Sequence, residues 1–138
     1  MLSYQHDYHA GNHADVLKHW LLVECVRHLQ QKPAGFEYID THAGSGWYRL
    51  DSAMARKTGE SDGGILRLLQ HPIPAMEAYL QIAREPVATQ HYPGSAALVN
   101  ELLRPQDRSW LFELHPQAFA ELERNCARRK QSYVRQVD

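Results

Sequence analysis

Apolar residues recur at helical spacing from Val16 through Leu17, Trp20, Leu21, Val23 and Leu29. Asn12 stands ahead of them as an N-cap, with Asp15 three residues on, where a carboxylate favours the positive end of a helix. Lys32-Pro33-Ala34-Gly35 stops this helix, and residues 36–40 read as a first strand. Residues 51–64 are polar and glycine-rich and predict a loop. Two short helical patterns follow, over about 64–70 and 75–85, broken by His71-Pro72-Ile73-Pro74. A loop at Gln90-His91-Tyr92-Pro93-Gly94-Ser95 leads into a helix through about Leu103. Ser109-Trp110-Leu111-Phe112-Glu113-Leu114 predicts a second strand, with Pro116 suited to the first turn of a helix reaching about Lys130. Tyr133-Val134-Arg135-Gln136-Val137-Asp138 predicts a third strand.

Alternating strands and helices favour a parallel sheet with crossover helices, an α/β fold. Ligands of such sheets bind at the carboxyl ends of the strands. The three predicted strands end at or near Asp40, Glu113 and Asp138, so three carboxylates are expected to converge on one edge. A sheet whose third strand closes on the last residue has an exposed edge. The sequence is therefore expected to be the front half of a longer protein.

Composition narrows the class. The 138 residues suit one domain, and 43% apolar content argues against disorder. With 15 basic and 16 acidic residues, bulk charge gives no drive toward nucleic acid, although a local basic face is compatible with that balance. Cys25 and Cys126 lie far apart and form no disulfide framework, which points to a reducing compartment. No signal peptide and no membrane-spanning run is visible, so the chain reads as soluble and cytoplasmic.

The chemistry concentrates at Asp40-Thr41-His42-Ala43-Gly44-Ser45-Gly46, a strand running into an acid and a Gly-x-Gly turn. Glycine lets backbone approach a ligand closely, because no Cβ intervenes and positive φ is cheap. The turn resembles the first motif of class I S-adenosylmethionine-dependent methyltransferases. The run from Met1 to His19, with Tyr4-Gln5-His6-Asp7-Tyr8-His9-Ala10-Gly11-Asn12 at its centre, resembles the opening of a bacterial family of 23S ribosomal RNA adenine-N6 methyltransferases. Tyr92-Pro93-Gly94-Ser95 and Glu113-Leu114-His115-Pro116 match further motifs, in the family's order and across essentially the whole chain. An older description of the family concerns catabolism of external DNA. It supplies the competing reading of a non-enzymatic nucleic-acid-binding module, and a metal-dependent hydrolase is a third.

The resemblance implies a Rossmann-like class I methyltransferase fold with a helical insertion at about residues 51–91. It implies S-adenosylmethionine as methyl donor and an adenine of 23S rRNA, free or incompletely assembled, as acceptor. By position, cofactor contacts fall on His19, His42, Ser95, Glu113 and Asp138, with Asp40, Gly44 and Gly46 shaping the turn; Tyr4 matches the position that meets the RNA. The implied roles are ribose hydroxyls on Glu113, the adenine amino group on Asp138 and the methionine moiety on His19 and His42. Asp40 would hold the turn or, through water, the ammonium group. The family's Asn/Asp-Pro-Pro-aromatic motif has no counterpart among the prolines of this chain, so these 138 residues are expected to carry the cofactor site without the catalytic residues.

Several of these side chains have plainer roles open to them. Ser95 also reads as a helix cap, Asp40 as a strand-end acid, and Tyr4 as packing on its own domain. Arg124, Arg128, Arg129 and Lys130 read as a solvated basic helix end. His6, His9, His13 and His19 crowd the first twenty residues, but Gly11 and the Asn12 cap break the spacing, and no cysteine or carboxylate completes a metal-ligand set. No metal is expected.

Overall fold

A computed structural model describes residues 5–137. Tyr4 and Asp138 therefore lie outside the described residues. A 3-10 turn, His6–Tyr8, precedes helix α1, His13–Leu29. Asn12 caps α1 as expected, its side chain accepting from the Asp15 N–H at 2.8 Å. Strand β1 is Glu37–Asp40 and strand β2 is Trp47–Arg49. Helices α2, Ala53–Thr58, α3, Ile65–Gln70, and α4, Glu77–Ala88, follow, with 3-10 turns at Glu60–Gly63 and Pro74–Met76. Strand β3 is His91–Pro93, helix α5 is Ser95–Leu102 and strand β4 is Arg108–Phe112. Helix α6, Pro116–Cys126, and strand β5, Ser132–Arg135, complete the order.

The main sheet has the order β1-β4-β5 with both pairings parallel, as the alternation of elements predicts. Asp40 stands opposite Leu111, and Phe112 opposite Arg135. A second, antiparallel pair, β2 with β3, was not expected. The predicted loop at 51–64 contains α2, which Ser52 caps by accepting from the Ala55 N–H at 3.1 Å. Helix α6 stops at Cys126, short of Lys130, and β5 ends three residues before Asp138.

Period-two burial explains why the sheet is covered on one face. Ser109, Leu111, Ser132 and Val134 are buried, and Leu111 packs with Ala43, Ala96, Leu122 and Cys126 beneath α5 and α6. On the other face Ile39 is 62% exposed. Its register neighbours Trp110 and Tyr133 stack there with ring centroids 4.4 Å apart. A larger core joins α1, α3 and α4 through Val16, Val23, Ile65, Leu68, Tyr79, Leu80 and Ala83, with Tyr48 and Tyr92 at its edge.

One buried carboxylate ties α1's exit to the sheet. Asp107, fully buried, accepts from the Phe36 N–H at 3.1 Å and from the Arg104 backbone N–H at 2.9 Å. The Arg104 guanidinium also bonds it, at 3.0 Å through both Nε and Nη2, while reaching the carbonyls of Gln30, Lys32 and Ala34. Burial raises the Asp107 pKa, but the Arg104 and backbone hydrogen bonds outweigh it and bring the group from 3.8 down to about 2. A pKa depressed on folding contributes stability that is complete above about pH 4 and lost as pH falls through about 2. Asp107→Asn is expected to remove that acid-side slope and to cost about 1–3 kcal/mol at neutral pH, because its buried donors lose an ionised partner. Urea unfolding followed by circular dichroism across the acid range checks this; an unchanged slope would acquit Asp107.

Candidate functional site

The parallel pairing of β1 with β4 sets two strand ends side by side, and the chain leaving each supplies the site. Beyond β1 the Ala43 N–H still reaches the Phe112 carbonyl at 3.0 Å, extending the ladder into the turn. Gly44 and Gly46 follow with φ of +67° and +83°. Every described contact of this turn is to a neighbour that fixes it. The Gly44 N–H donates to Glu113 Oε2 at 2.9 Å and the Ser45 N–H to the Tyr48 hydroxyl at 3.2 Å. The Ser45 carbonyl accepts from Asn125 at 3.0 Å, and the Gly46 carbonyl from the Gly94 N–H at 2.8 Å.

Glycine is required at Gly44 on two counts, its left-handed φ and the 2.0 Å that would separate an added Cβ from the Tyr48 hydroxyl. At Gly94 an added Cβ would lie 2.8 Å from the Tyr48 ring, so the same tyrosine excludes side chains from both glycines. Tyr48 is buried, and burial pushes its hydroxyl well above the ordinary tyrosine range.

Beside this turn opens a cavity of about 340 Å³, a size typical of small-ligand sites. His19, His42, Gly44, Ser95 and Glu113 line it, together with Gln5, His6 and Asp7 of the N-terminal segment. Asp40 and Gly46 are not among the lining residues. Asp40 instead accepts from the Tyr38 hydroxyl at 2.7 Å, the Ser95 hydroxyl at 2.6 Å and the His42 N–H at 3.1 Å. It therefore holds the loop, the first of the two roles open to it. The convergence of three acids reduces, among the described residues, to Glu113 at the cavity and Asp40 behind it. Asp138 and Tyr4 stand outside the description.

Glu113 has two duties available. Its Oε2 takes the Gly44 N–H, and its Oε1 takes the His115 N–H at 2.8 Å. A carboxylate has about four lone-pair positions, so each oxygen retains capacity for a ligand donor. Ser95 differs from expectation. Gly94 is the N-cap of α5 and Ser95 its first residue, so Ser95 does not cap. Its hydroxyl proton goes to Asp40. Helix α5 starts without any side-chain cap, and its entry residues Gly94 and Ser95 both line the cavity.

The N-terminal segment is fastened by Asp15, which is 3% exposed. Its carboxylate meets His6 Nε2 at 2.6 Å, the Gly11 N–H at 3.1 Å and the Lys18 ammonium at 3.6 Å. Burial raises its pKa, but His6 and the Gly11 N–H hold it below the usual carboxylate value. His19 is 1% exposed, and burial lowers its pKa to about 4, so its ring is neutral at pH 7. Tyr48, Tyr92 and the segment at His6 escaped sequence reasoning as site residues, although each falls within or beside a motif. Among the described residues, no three histidine, cysteine or acidic side chains gather closely enough to hold a metal ion.

The cavity thus brings together a glycine turn, a carboxylate with spare lone pairs, an uncapped helix entry and a neutral imidazole. Comparison with known proteins identifies the family. The sequence model described as "Ribosomal RNA large subunit methyltransferase D, RlmJ" matches residues 33–138. "Ribosomal RNA large subunit methyltransferase J" of Escherichia coli K12 is 41% identical over 143 residues, covering all of this chain and 51% of that protein. The Haemophilus influenzae protein of the same name is 45% identical over 131 residues, covering 91% of this chain and 47% of its own. A Legionella pneumophila crystal structure, whose family is given as DUF519, superposes with a TM-score of 0.83 at 31% identity, covering 94% of this chain and 49% of that one. The chain thus spans about half the length of the curated relatives it matches.

Gly44→Ala is expected to destabilise the fold by about 2–4 kcal/mol, combining backbone strain with the overlap on Tyr48. Adding Tyr48→Phe removes the clashing oxygen but leaves the strain, so the double variant should recover part of the loss. Thermal unfolding of the single and double variants measures this; full tolerance of Gly44→Ala would mean the turn is not locked as described.

Proposed function

The chain belongs to the ribosomal RNA large subunit methyltransferase family, and from that premise we propose that it forms the S-adenosylmethionine-binding part of an enzyme methylating N6 of an adenine in 23S rRNA. The observation that carries the proposal is the cavity at the carboxyl ends of β1 and β4, where His19, His42, Gly44, Ser95 and Glu113 all contribute to the lining. These residues come from four separate stretches of sequence, and each occupies a position that the family resemblance singles out.

When bound, the cofactor supplies an electrophilic methyl group on a sulfonium, leaving S-adenosylhomocysteine after transfer. Toward it, the spare lone pairs of Glu113 accept from the two ribose hydroxyls, a diol that a carboxylate matches in geometry. His19 and His42 face the methionine moiety, with the entry of α5 at Ser95 favouring its carboxylate. Asp40 positions Ser95 and His42 rather than touching the ligand. Gly44 lets the backbone come close, Gly46 shapes the turn behind it, and Asp138 would accept from the adenine amino group. Tyr4 would stack on a base drawn out of the RNA, as enzymes acting on bases commonly require.

These 138 residues contain no Asn/Asp-Pro-Pro-aromatic motif, so we assign them the cofactor cradle and not the group that orients the target amine. The reading places the protein in the cytoplasm beside free or partly assembled 23S rRNA. No helix among the described residues is long and apolar enough to cross a membrane.

Calorimetric titration with S-adenosylmethionine should show binding by the chain. Glu113→Ala should weaken it by roughly tenfold or more, the scale of a hydrogen bond to a charged group. Unchanged affinity would remove the ribose assignment, and absence of binding by the parent chain would remove the cofactor. The chain alone should not transfer labelled methyl to unmodified 23S rRNA; incorporation would show that the catalytic groups lie within it.

A further inference from the structure

Behind the cavity wall, a hydrogen-bonded row ties His19 to two tyrosines to which the cofactor reading gives no role. His19 Nδ1 of α1 lies 2.7 Å from the hydroxyl of Tyr92 of β3, and that hydroxyl lies 2.7 Å from the hydroxyl of Tyr79 of α4. All three are sealed in, with Tyr79 and Tyr92 at 0% exposure and His19 at 1%. The imidazole and the Tyr92 ring lie 5.6 Å apart, tilted at 34°.

Two arrangements of hydrogens run donor to acceptor along the whole row; a third, with Tyr92 accepting from both neighbours, orphans its own buried proton. In one, Tyr79 donates to the Tyr92 oxygen, Tyr92 donates to His19 Nδ1, and the imidazole proton sits on Nε2. Every donor of the row then has an acceptor, apart from Nε2–H, which is left for the cavity that His19 lines. In the other, His19 Nδ1–H donates to Tyr92 and Tyr92 donates to Tyr79. The Tyr79 proton is then orphaned, because among the described residues its hydroxyl meets no acceptor except Tyr92. A buried orphan donor costs about 1–3 kcal/mol, enough to decide between tautomers of a neutral ring. The ring is neutral at pH 7 because burial holds its pKa near 4, so the place of its single proton matters.

We propose that Tyr92, itself held by Tyr79, is a positioning residue that fixes His19 as the Nε2–H tautomer. The ring then presents a hydrogen-bond donor to the cavity and selects a ligand group that accepts there. An acceptor-only imidazole at the same place would repel a carboxylate and favour an ammonium instead. That the accepting group is the carboxylate of the amino-acid tail rests on the cofactor reading; the tautomer itself does not.

The test is long-range proton–nitrogen correlation on the nitrogen-15-labelled full chain at pH 7, with the His19 pattern identified by its loss in His19→Gln. The parent chain should show Nε2 protonated and Nδ1 bare; a protonated Nδ1 overturns the proposal. Tyr79→Phe should keep the Nε2–H form, since Tyr92 can still donate. Tyr92→Phe should give a mixture of tautomers, and a pure Nε2–H form in that variant would strip Tyr92 of its role. If Tyr92→Phe does not fold, Tyr79→Phe with Tyr92→Phe replaces it, because the double variant leaves no orphaned hydroxyl.

Calorimetry forms a second arm, with S-adenosylhomocysteine and its analogue lacking the carboxylate as probes. Loss of the tautomer preference should weaken the first roughly fivefold and leave the second unchanged. Equal weakening of both would overturn the carboxylate assignment. If neither probe binds the parent chain, the cofactor reading fails while the tautomer result is judged on the spectra alone.

Discussion

The Glu113 carboxylate takes a backbone N–H from each side of the sheet's end, Gly44 after β1 and His115 after β4. That double acceptance depends on the parallel pairing, which sets Asp40 beside Leu111 and so delivers the two exits to the same place. Around it the turn is bonded to Tyr48, Asn125 and Gly94, and Asp40 gathers Tyr38, Ser95 and His42. The cavity is therefore shaped before any ligand arrives. Preorganisation of this kind lowers the ordering cost that binding would otherwise carry.

Much of this order was readable from sequence where the cause is local. The Asn12 cap, the end of β1 at Asp40 and the Pro116 start of α6 each follow from residues within a turn of one another. Legibility fails where partners are remote. Strands β2 and β3 have three residues each and only become strands by meeting, with Trp47 opposite Pro93. Nothing in either segment announces the other. Asp40 was visible as an acid at a strand end, but its hold on Ser95 spans 55 positions. Tyr92 lay within a recognised motif, yet its importance rests on His19, 73 positions away, and on Tyr79 in another helix. The family resemblance singled out Ser95 and Glu113, and both line the cavity; it did not say that Ser95 would spend its proton on Asp40.

The sheet also explains an asymmetry in the apolar residues. The face bearing Leu111 and Val134 is covered by α5 and α6, whereas Ile39 remains open and Trp110 stacks on Tyr133 beside it. Alternation along β4 makes this unavoidable, since Trp110 and Leu111 must point to opposite faces. A sheet of this kind buries both faces when helices flank it on each side. Here the described residues supply helices to one side.

Where the second, antiparallel pair sits has a bearing on how the fold tolerates change. The chain departs after Arg49 and returns at His91, and the Leu50 N–H bonds the Gln90 carbonyl at 2.8 Å, so the path leaves and re-enters through one doorway. An excursion closed at its base imposes a constraint that grows only logarithmically, about 0.6 kcal/mol for each doubling of its length. Closure alone would thus make little of added length in the turns of the excursion, whereas trimming α3 would take Ile65 and Leu68 out of the core. The α1-facing side of α4 is a different matter: it carries Tyr79, and through that residue the shape of the excursion is felt at His19.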